Sequence, residues 1–381
     1  GFESRPFNIL DDDSANFGLR SSFSYDFENR KKSKVQFGFE ISKEEYNYDL
    51  YRTEDGIQGE QFQQNQELRS STQFFAQYNM NFLDDLELEI GLNANLTSYT
   101  LDDQFASDMT DISGEYNYSW IYSPRLNLKY TLNESDYLYG LISHGYSIPT
   151  LEETLTPDGL INNDIKPEIG LNTEIGFRGM TNNEKWSYGL TAYQMLVKNL
   201  LVARRTAADQ FIGVNAGGSR HIGAELDLAY KMFNSGDWRS DFNLAYTYQK
   251  FTFTDFVDGE DDYSSNELTG AIPNQVALGW SGGYKRLSLI IKYKFIDSMP
   301  MRDDNSNYSD AYSLLDMYIS KTIAIGMFDI GMSAGVNNLL DTDYASMILV
   351  NAGSFGGNTP RYFYPGLPIN AFGRMSIRYN F

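Results

Sequence analysis

The feature that most constrains this chain is a two-residue alternation of apolar and polar side chains, repeated in stretch after stretch. In LELEIGLNANL, Leu86, Leu88, Ile90, Leu92, Ala94 and Leu96 share one side, against Glu87, Glu89, Gly91, Asn93 and Asn95. LSLIIKYKF sets Leu287, Leu289, Ile291, Tyr293 and Phe295 against Ser288, Ile290, Lys292 and Lys294. FDIGMSAGV sets Phe328, Ile330, Met332, Ala334 and Val336 against Asp329, Gly331, Ser333 and Gly335. Successive side chains of a strand point to opposite faces, so each stretch reads as a strand with one apolar and one polar side. The patterns hold for about nine to fifteen residues, longer than the five or six of a soluble strand and suited to a tilted membrane-spanning one. The same rhythm runs through AFGRMSIRYNF to Phe381.

Composition fits that reading and excludes others. The 381 residues include no cysteine, so a disulfide framework or thiolate metal site is impossible. A formal charge of −21 excludes a nucleic-acid surface, which needs a basic stripe. No run approaches the roughly 18 apolar residues of a spanning helix.

The connections alternate in length. Short links fall at 28–33, 83–85, 133–136, 180–185, 234–237 and 283–286, with a tight link near Gly326; long ones cover about 53–66, 101–116, 147–168, 255–272, 297–309 and 340–366, with a shorter member near 206–210. Short periplasmic turns alternating with long extracellular loops are the pattern of an outer-membrane barrel. Trp186 and Trp238 directly follow short turns and Trp280 lies just before one, at the interface where amphipathic rings settle. The fold class expected is all-β, a transmembrane antiparallel up-and-down β-barrel.

Fifteen strands are expected: 14–27, 33–52, 67–82, 86–100, 117–132, 137–147, 169–179, 186–205, 211–233, 238–254, 273–283, 286–297, 310–323, 327–337 and 367–381. Bacterial single-chain barrels have even strand numbers. Either residues 2–9 supply a sixteenth strand, or residues 1–381 are the C-terminal portion of a larger barrel. The odd count favours the second.

Four stretches resemble the barrel of TonB-dependent outer-membrane receptors. They are SHGYSIPTLEE (143–153); NNDIKPEIGLNTEIGFRG, with Lys166, Pro167, Glu168, Glu174 and Gly176; VNAGGSRHIGAELDL, with Asn215, Arg220, Gly223 and Glu225; and VNNLLDTDY, with Asn338, Leu339, Asp341 and Tyr344. The EETLTPDGLINNDIKPE loop most resembles iron-complex receptors of Bacteroidetes-type bacteria, and a Phe-terminated strand resembles the assembly signal of outer-membrane proteins. The resemblance implies a 22-stranded barrel with an N-terminal plug coupled to the TonB complex. This chain matches only its later part, so the plug and first strands are expected to be absent from it. The implied function is capture of a scarce solute, a ferric siderophore or similar iron chelate, in the Gram-negative outer membrane. A self-contained diffusion porin of about 16 strands is the alternative, and an adhesive barrel a third class.

No catalytic constellation is present in the sequence. His144 and His221 are the two histidines, and Ser143 beside His144 points to the opposite face of a strand. No resident cofactor is expected. The acidic stretches LDDQFASDMTDISGE and FVDGEDDYSSNE could hold Ca²⁺ or meet lipopolysaccharide through divalent ions. Candidate ligand-binding residues at outer ends are Arg204, Arg205, Arg302, Arg361, Tyr362 and Tyr364, since guanidinium and ring contacts suit an anionic chelate. Glu87, Glu89, Glu225, Asp227, Lys292, Arg374 and Arg378 are expected on the inward, polar face.

Overall fold

In the computed structural model the described residues are 8–28, 31–54, 57–105, 107, 109–156, 159–207, 210–353 and 361–380. In chain order the strands are β1 (Asn8–Asp26), β2 (Lys34–Glu54), β3 (Ile57–Leu83), β4 (Leu86–Asp103), β5 (Gly114–Asn117), β6 (Ile121–Thr131), β7 (Tyr137–Ser147), β8 (Glu168–Met180), β9 (Trp186–Lys198), β10 (Leu201–Ala207), β11 (Gln210–Asn215), β12 (Gly217–Ser235), β13 (Trp238–Asp258), β14 (Asp261–Asp262), β15 (Asn274–Tyr284), β16 (Leu287–Ile296), β17 (Tyr312–Ile325), β18 (Phe328–Asn337), β19 (Ala345–Ile348), β20 (Phe363–Pro365) and β21 (Asn370–Tyr379). Twelve of the fifteen expected strands are present as single strands, 137–147 with unchanged bounds, while 117–132, 186–205 and 211–233 are each split in two.

The departures have local causes. The expected 117–132 strand starts at Gly114 and breaks between Asn117 and Ile121. The expected 186–205 strand is interrupted after Lys198 by Asn199, whose φ of 55° lies in the left-handed region. Gly217, with φ 125°, opens the neighbouring strand, so β10 and β11 form a separate two-stranded sheet. Of residues 2–9, Asn8 and Ile9 are the outer end of β1, and 2–7 lie outside the described residues. The final strand runs only over Asn370–Tyr379, after Pro365 and Pro368, which offer no N–H to a ladder. Phe381 lies outside the described residues.

The chain divides into two compact units. The first comprises Gly1–Leu128, Ile142–Leu171 and Val197–Ala216. The second comprises Lys129–Leu141, Asn172–Leu196 and Gly217–Phe381.

In the first unit β1 to β5 pair in sequence order, each antiparallel to the last. Register aligns the alternation across strands. Leu19, Ile41, Thr72 and Leu96 form one row, Phe23, Phe37, Ala76 and Leu92 the next, and Tyr25, Val35, Tyr78 and Ile90 a third. A one-residue slip would turn every one of them to the other face. This face is open, with Ile90 49% and Leu92 47% exposed. The opposite face carries ion pairs Arg20–Glu40 at 3.5 Å and Arg125–Glu89 at 3.4 Å. Along β2 the outward residues Val35, Phe37, Phe39 and Ile41 give way at Lys43 to Glu45, Asn47 and Asp49. Six residue steps of about 3.3 Å, tilted about 40°, give these four residues an apolar span of roughly 15 Å, within the ~25 Å band of such barrels. Beyond it β2 continues to Glu54 as a polar wall above the lipid.

In the second unit β9 pairs with β12, and β12, β13, β15, β16, β17, β18 and β21 follow as an antiparallel meander. Apolar rows again cross it: Tyr230, Phe242, Trp280, Ile291, Met317, Val336 and Ala371 lie side by side. Ile319 is 47% and Ile377 62% exposed. Lys292 stands opposite Asp316 on the other face, its ammonium 5.6 Å from the Tyr318 ring centre.

The short turns are two-residue hairpins between Ser235 and Trp238, Tyr284 and Leu287, and Ile325 and Phe328. Positive φ at Gly236, Lys285 and Gly326 supplies the bend. Rings gather at these ends: Trp186 stacks on Tyr230 at 4.2 Å, and Trp238 lies 4.4 Å from Tyr284. The tryptophan placement therefore follows the girdle of an inner interface.

Buried apolar side chains belong to the outer ends instead. Tyr99, Leu101, Tyr118 and Leu151 form one cluster in the first unit. Phe253, Phe256, Ile296 and Met301 are buried in the second.

The open apolar rows generate a test. Ile319→Arg should destabilise the folded barrel by about 2–4 kcal/mol, whereas Ser320→Arg on the polar face should cost about 1 kcal/mol or less. Urea unfolding in lipid vesicles measures both, and equal costs would remove the lipid-facing assignment.

Candidate functional site

The long loops are built by side chains that satisfy loop backbone. In the first unit Tyr99 donates its hydroxyl to the Pro149 carbonyl at 2.8 Å, and Tyr116 donates to the Ile165 carbonyl at 2.6 Å. Thr150 and Glu153 close a capping box: the Thr150 N–H reaches Glu153 Oε2 at 2.8 Å, and the Glu153 N–H reaches Thr150 Oγ1 at 3.3 Å. That box starts the one-turn helix Glu152–Thr154. Asn215 accepts from the Lys166 N–H at 2.7 Å and donates to the carbonyls of Lys166 and Asn199, at 2.9 and 2.8 Å. Glu168 accepts the Leu201 N–H at 2.7 Å.

In the second unit, three outer loops meet around Asp303. Its carboxylate accepts the Thr269 hydroxyl and the Asn351 amide, the latter at 3.0 Å, while its own N–H reaches Asn351 Oδ1 at 3.1 Å. Asn305 accepts the Glu267 N–H at 2.7 Å and returns a bond to the Glu267 carbonyl at 2.9 Å. Asn266 donates to the Asp303 carbonyl at 2.8 Å. Met301 is buried beneath, its carbonyl taking the Asn351 N–H at 2.8 Å. Loops that begin as separate excursions are thus one hydrogen-bonded body.

The structure brings some of the expected ligand residues together. Arg302 lies on this body, its Nε 3.3 Å from both carboxylate oxygens of Asp304. The Tyr362 phenol beside its guanidinium, with Asp304 next to it, raises its pKa and keeps it charged. Tyr362 is half-buried and Arg361, its chain neighbour, is exposed. Tyr364 is exposed on β20, paired with Met347. Arg204 and Arg205 sit on β10, but their side chains lie outside the described residues. The anchors Asp303, Asn305 and Asn351 have no sequence signature, because they join positions tens of residues apart.

The residues that carry the family-like motifs are framework. Glu174 accepts the Tyr139 hydroxyl at 2.5 Å, and the Tyr139 ring lies so close over Gly176 that a Cβ there would sit 2.3 Å from it. Gly223 is covered in the same way by Tyr193. Asn338 holds its turn through the Thr342 N–H at 3.0 Å, the Thr342 carbonyl at 2.9 Å and the Leu367 carbonyl at 3.2 Å. Asp341 accepts the Ile369 N–H at 2.9 Å.

Asp103 and Asp111, in the first acidic stretch, accept backbone N–H groups of Phe105, Ile112 and Ser113 at 2.9–3.1 Å. Among the described residues no group of three or more His, Asp or Glu is placed to hold a metal ion. His144 contacts Ser123 Oγ at 3.4 Å rather than Ser143, and His221 stacks on Phe251 beside the buried Ser219.

Apolar rows toward lipid, short turns at one end and bonded loops at the other define an antiparallel barrel of the Gram-negative outer membrane. The family model described as "TonB dependent receptor-like, beta-barrel" matches residues 2–339, and the chain belongs to that family. Among solved structures it resembles the unliganded ferric citrate transporter FecA (TM-score 0.76, 15% identity, 98% of this chain and 56% of that one). It also resembles the copper transporter OprC (TM-score 0.74, 18% identity, 97% and 57%) and the siderophore receptor PiuA from Acinetobacter baumannii (TM-score 0.73, 16%, 97% and 56%). The chain therefore spans little more than half the length of these structures. No curated protein matches its sequence.

Asp303→Ala should loosen all three loops together, at a cost of about 1–3 kcal/mol for the donors left unpaired. Hydrogen exchange should rise in 266–270, 301–306 and 349–351; a rise confined to 301–306 would show that the loops are independent. The tip of this body also responds to acid. Ser306, through its hydroxyl and its N–H, holds the Asp304 carboxyl below the usual range, with Arg302 adding to it. A lowered folded pKa stabilises above the unfolded value of about 3.9 and is lost as pH falls through the folded one. Protection of the Ser306 amide, corrected for intrinsic exchange, should hold at pH 5 and fall below about pH 3.9.

Proposed function

We propose that this chain supplies the barrel and outer loops of an import receptor that captures a scarce anionic iron chelate, a ferric siderophore or a close relative, for TonB-driven passage. The observation that supports the reading is Arg302 on a hydrogen-bonded loop body with the Tyr362 phenol beside its guanidinium, and exposed Arg361 next to Tyr362 in the chain. Carboxylate, catecholate or hydroxamate oxygens of a ferric chelate match a guanidinium fork, and rings beside it offer flat apolar contact. Rigidity matters here, because loops ordered before binding lose less entropy when a ligand arrives. The named activities of FecA, OprC and PiuA are those of other proteins, but all three transport or receive metal or its complexes. In this reading a plug contributed by another segment or chain closes the barrel and couples it to TonB.

The test is uptake of radiolabelled iron chelates by iron-starved cells carrying the native-length receptor. The double change Arg302→Ala and Arg361→Ala should weaken chelate binding about tenfold or more, the scale of one or two charge-assisted contacts, with surface abundance unchanged. Arg204→Ala with Arg205→Ala gives a second, independent pair. Unchanged affinity in both doubles, or steady open conductance of the purified receptor in a planar bilayer, would remove the proposal; the second outcome favours a diffusion porin.

A further inference from the structure

We propose that the cavity between the start of β17 and the β19–β20 hairpin binds an organic ammonium ion, an amine or quaternary ammonium carrying a small apolar body. The cavity has a volume of about 280 Å³, near the lower end of the roughly 300–1,000 Å³ of small-molecule sites. Its principal walls are Tyr312, Tyr344, Ile348 and Phe363, and Asp310 and Asp343 stand at it.

Each wall is fixed in place. Tyr312 and Tyr344 pack against each other with ring centres 5.1 Å apart and planes at 32°, and both line the cavity. Tyr344 is held by Gly366: its ring occupies the space a Cβ would fill, 2.2 Å away, and its carbonyl accepts the Gly366 N–H at 2.7 Å. Ile348 and Phe363 are directly paired across the hairpin, so both side chains lie on one side of it, toward the cavity. Buried Ser309 anchors the near end, its Oγ accepting the Met299 N–H at 3.1 Å and its N–H reaching the Met299 carbonyl at 2.9 Å.

The charge decides the ligand class. Asp310 and Asp343 are both exposed. Among the described residues the ion pairs within 4.0 Å are made by other carboxylates, so neither of these two is in direct contact with a lysine or arginine. Two such carboxylates repel an anion and attract a cation. The negative faces of Tyr312 and Tyr344 add to that attraction, which is strongest for a weakly hydrated ammonium. A bare metal ion fits poorly, since Ca²⁺ requires six to eight oxygens and the walls are mostly carbon. The apolar walls instead match the body of an organic cation. This site is opposite in sign to the Arg302–Arg361 region, so the inference stands whether or not an iron chelate is the cargo.

The experiment is calorimetric titration of the native-length receptor, purified without iron chelate, with phenethylammonium and with phenethyl alcohol as the uncharged match. The ammonium should bind saturably and the alcohol about tenfold or more weakly, and raised salt should narrow that gap. Asp310→Asn with Asp343→Asn should weaken ammonium binding about tenfold, with alcohol binding and thermal unfolding unchanged, because both carboxylates are exposed. Equal binding of the two probes, or ammonium binding indifferent to the double change, would overturn the proposal. So would the absence of saturable ammonium binding at roughly 10 mM, well above the ~1 mM expected for a ligand this small.

Discussion

Backbone hydrogen bonding between neighbouring strands is the constraint on which this structure depends. Hydrocarbon offers no partner for an N–H or C=O, so each spanning segment must find its partners in adjacent protein. The paired registers do this, and they leave side chains free to invert the usual arrangement. Leu92, Ile319 and Ile377 stand open, while Glu89, Lys292 and Asp316 meet partners across strands. In water such rows would promote aggregation; in a membrane they are the ordinary surface.

Above the lipid the same requirement is met by other means. Loops lack a ladder, and here asparagine amides substitute for one. Asn215 in the first unit, and Asn305, Asn338 and Asn351 in the second, each both donate and accept, and each satisfies backbone or carboxylate groups of another segment. An amide side chain carries the same donor and acceptor pair as a peptide group, which suits it to imitate one. The small buried cluster of Tyr99, Tyr118 and Leu151 adds an apolar anchor of its own in the first unit, where Tyr99 bonds the Pro149 carbonyl.

Much of the fold was legible because alternation is a local signal. The period of two identified each long strand, and turn residues such as Gly236 and Gly326 marked where it reversed. What was missed is equally local in cause: Asn199 adopts a left-handed conformation that residue identity permits without requiring, and a strand read as continuous became β9 and β10. The candidate site was legible only in part. Arg302 and Tyr362 each stand out in the sequence, but their proximity spans sixty positions and no spacing rule reports it. Thr269, Asp303 and Asn351 are unremarkable in sequence and become informative only through their mutual bonds. The framework role of Asn215, Glu174 and Asn338 was likewise hidden, since a motif shows recurrence without saying which atoms it serves.

The bonding of three loops through Asp303 bears on how such a protein can diversify. Transplanting the 301–306 loop from a relative would strand Asn266 and Thr269 on one side and Asn351 on the other, and transplanting either neighbour would strand part of 301–306, so a new outer surface is most readily acquired by exchanging the trio as a block. Single-loop grafts are then poor tools for remodelling this outer face.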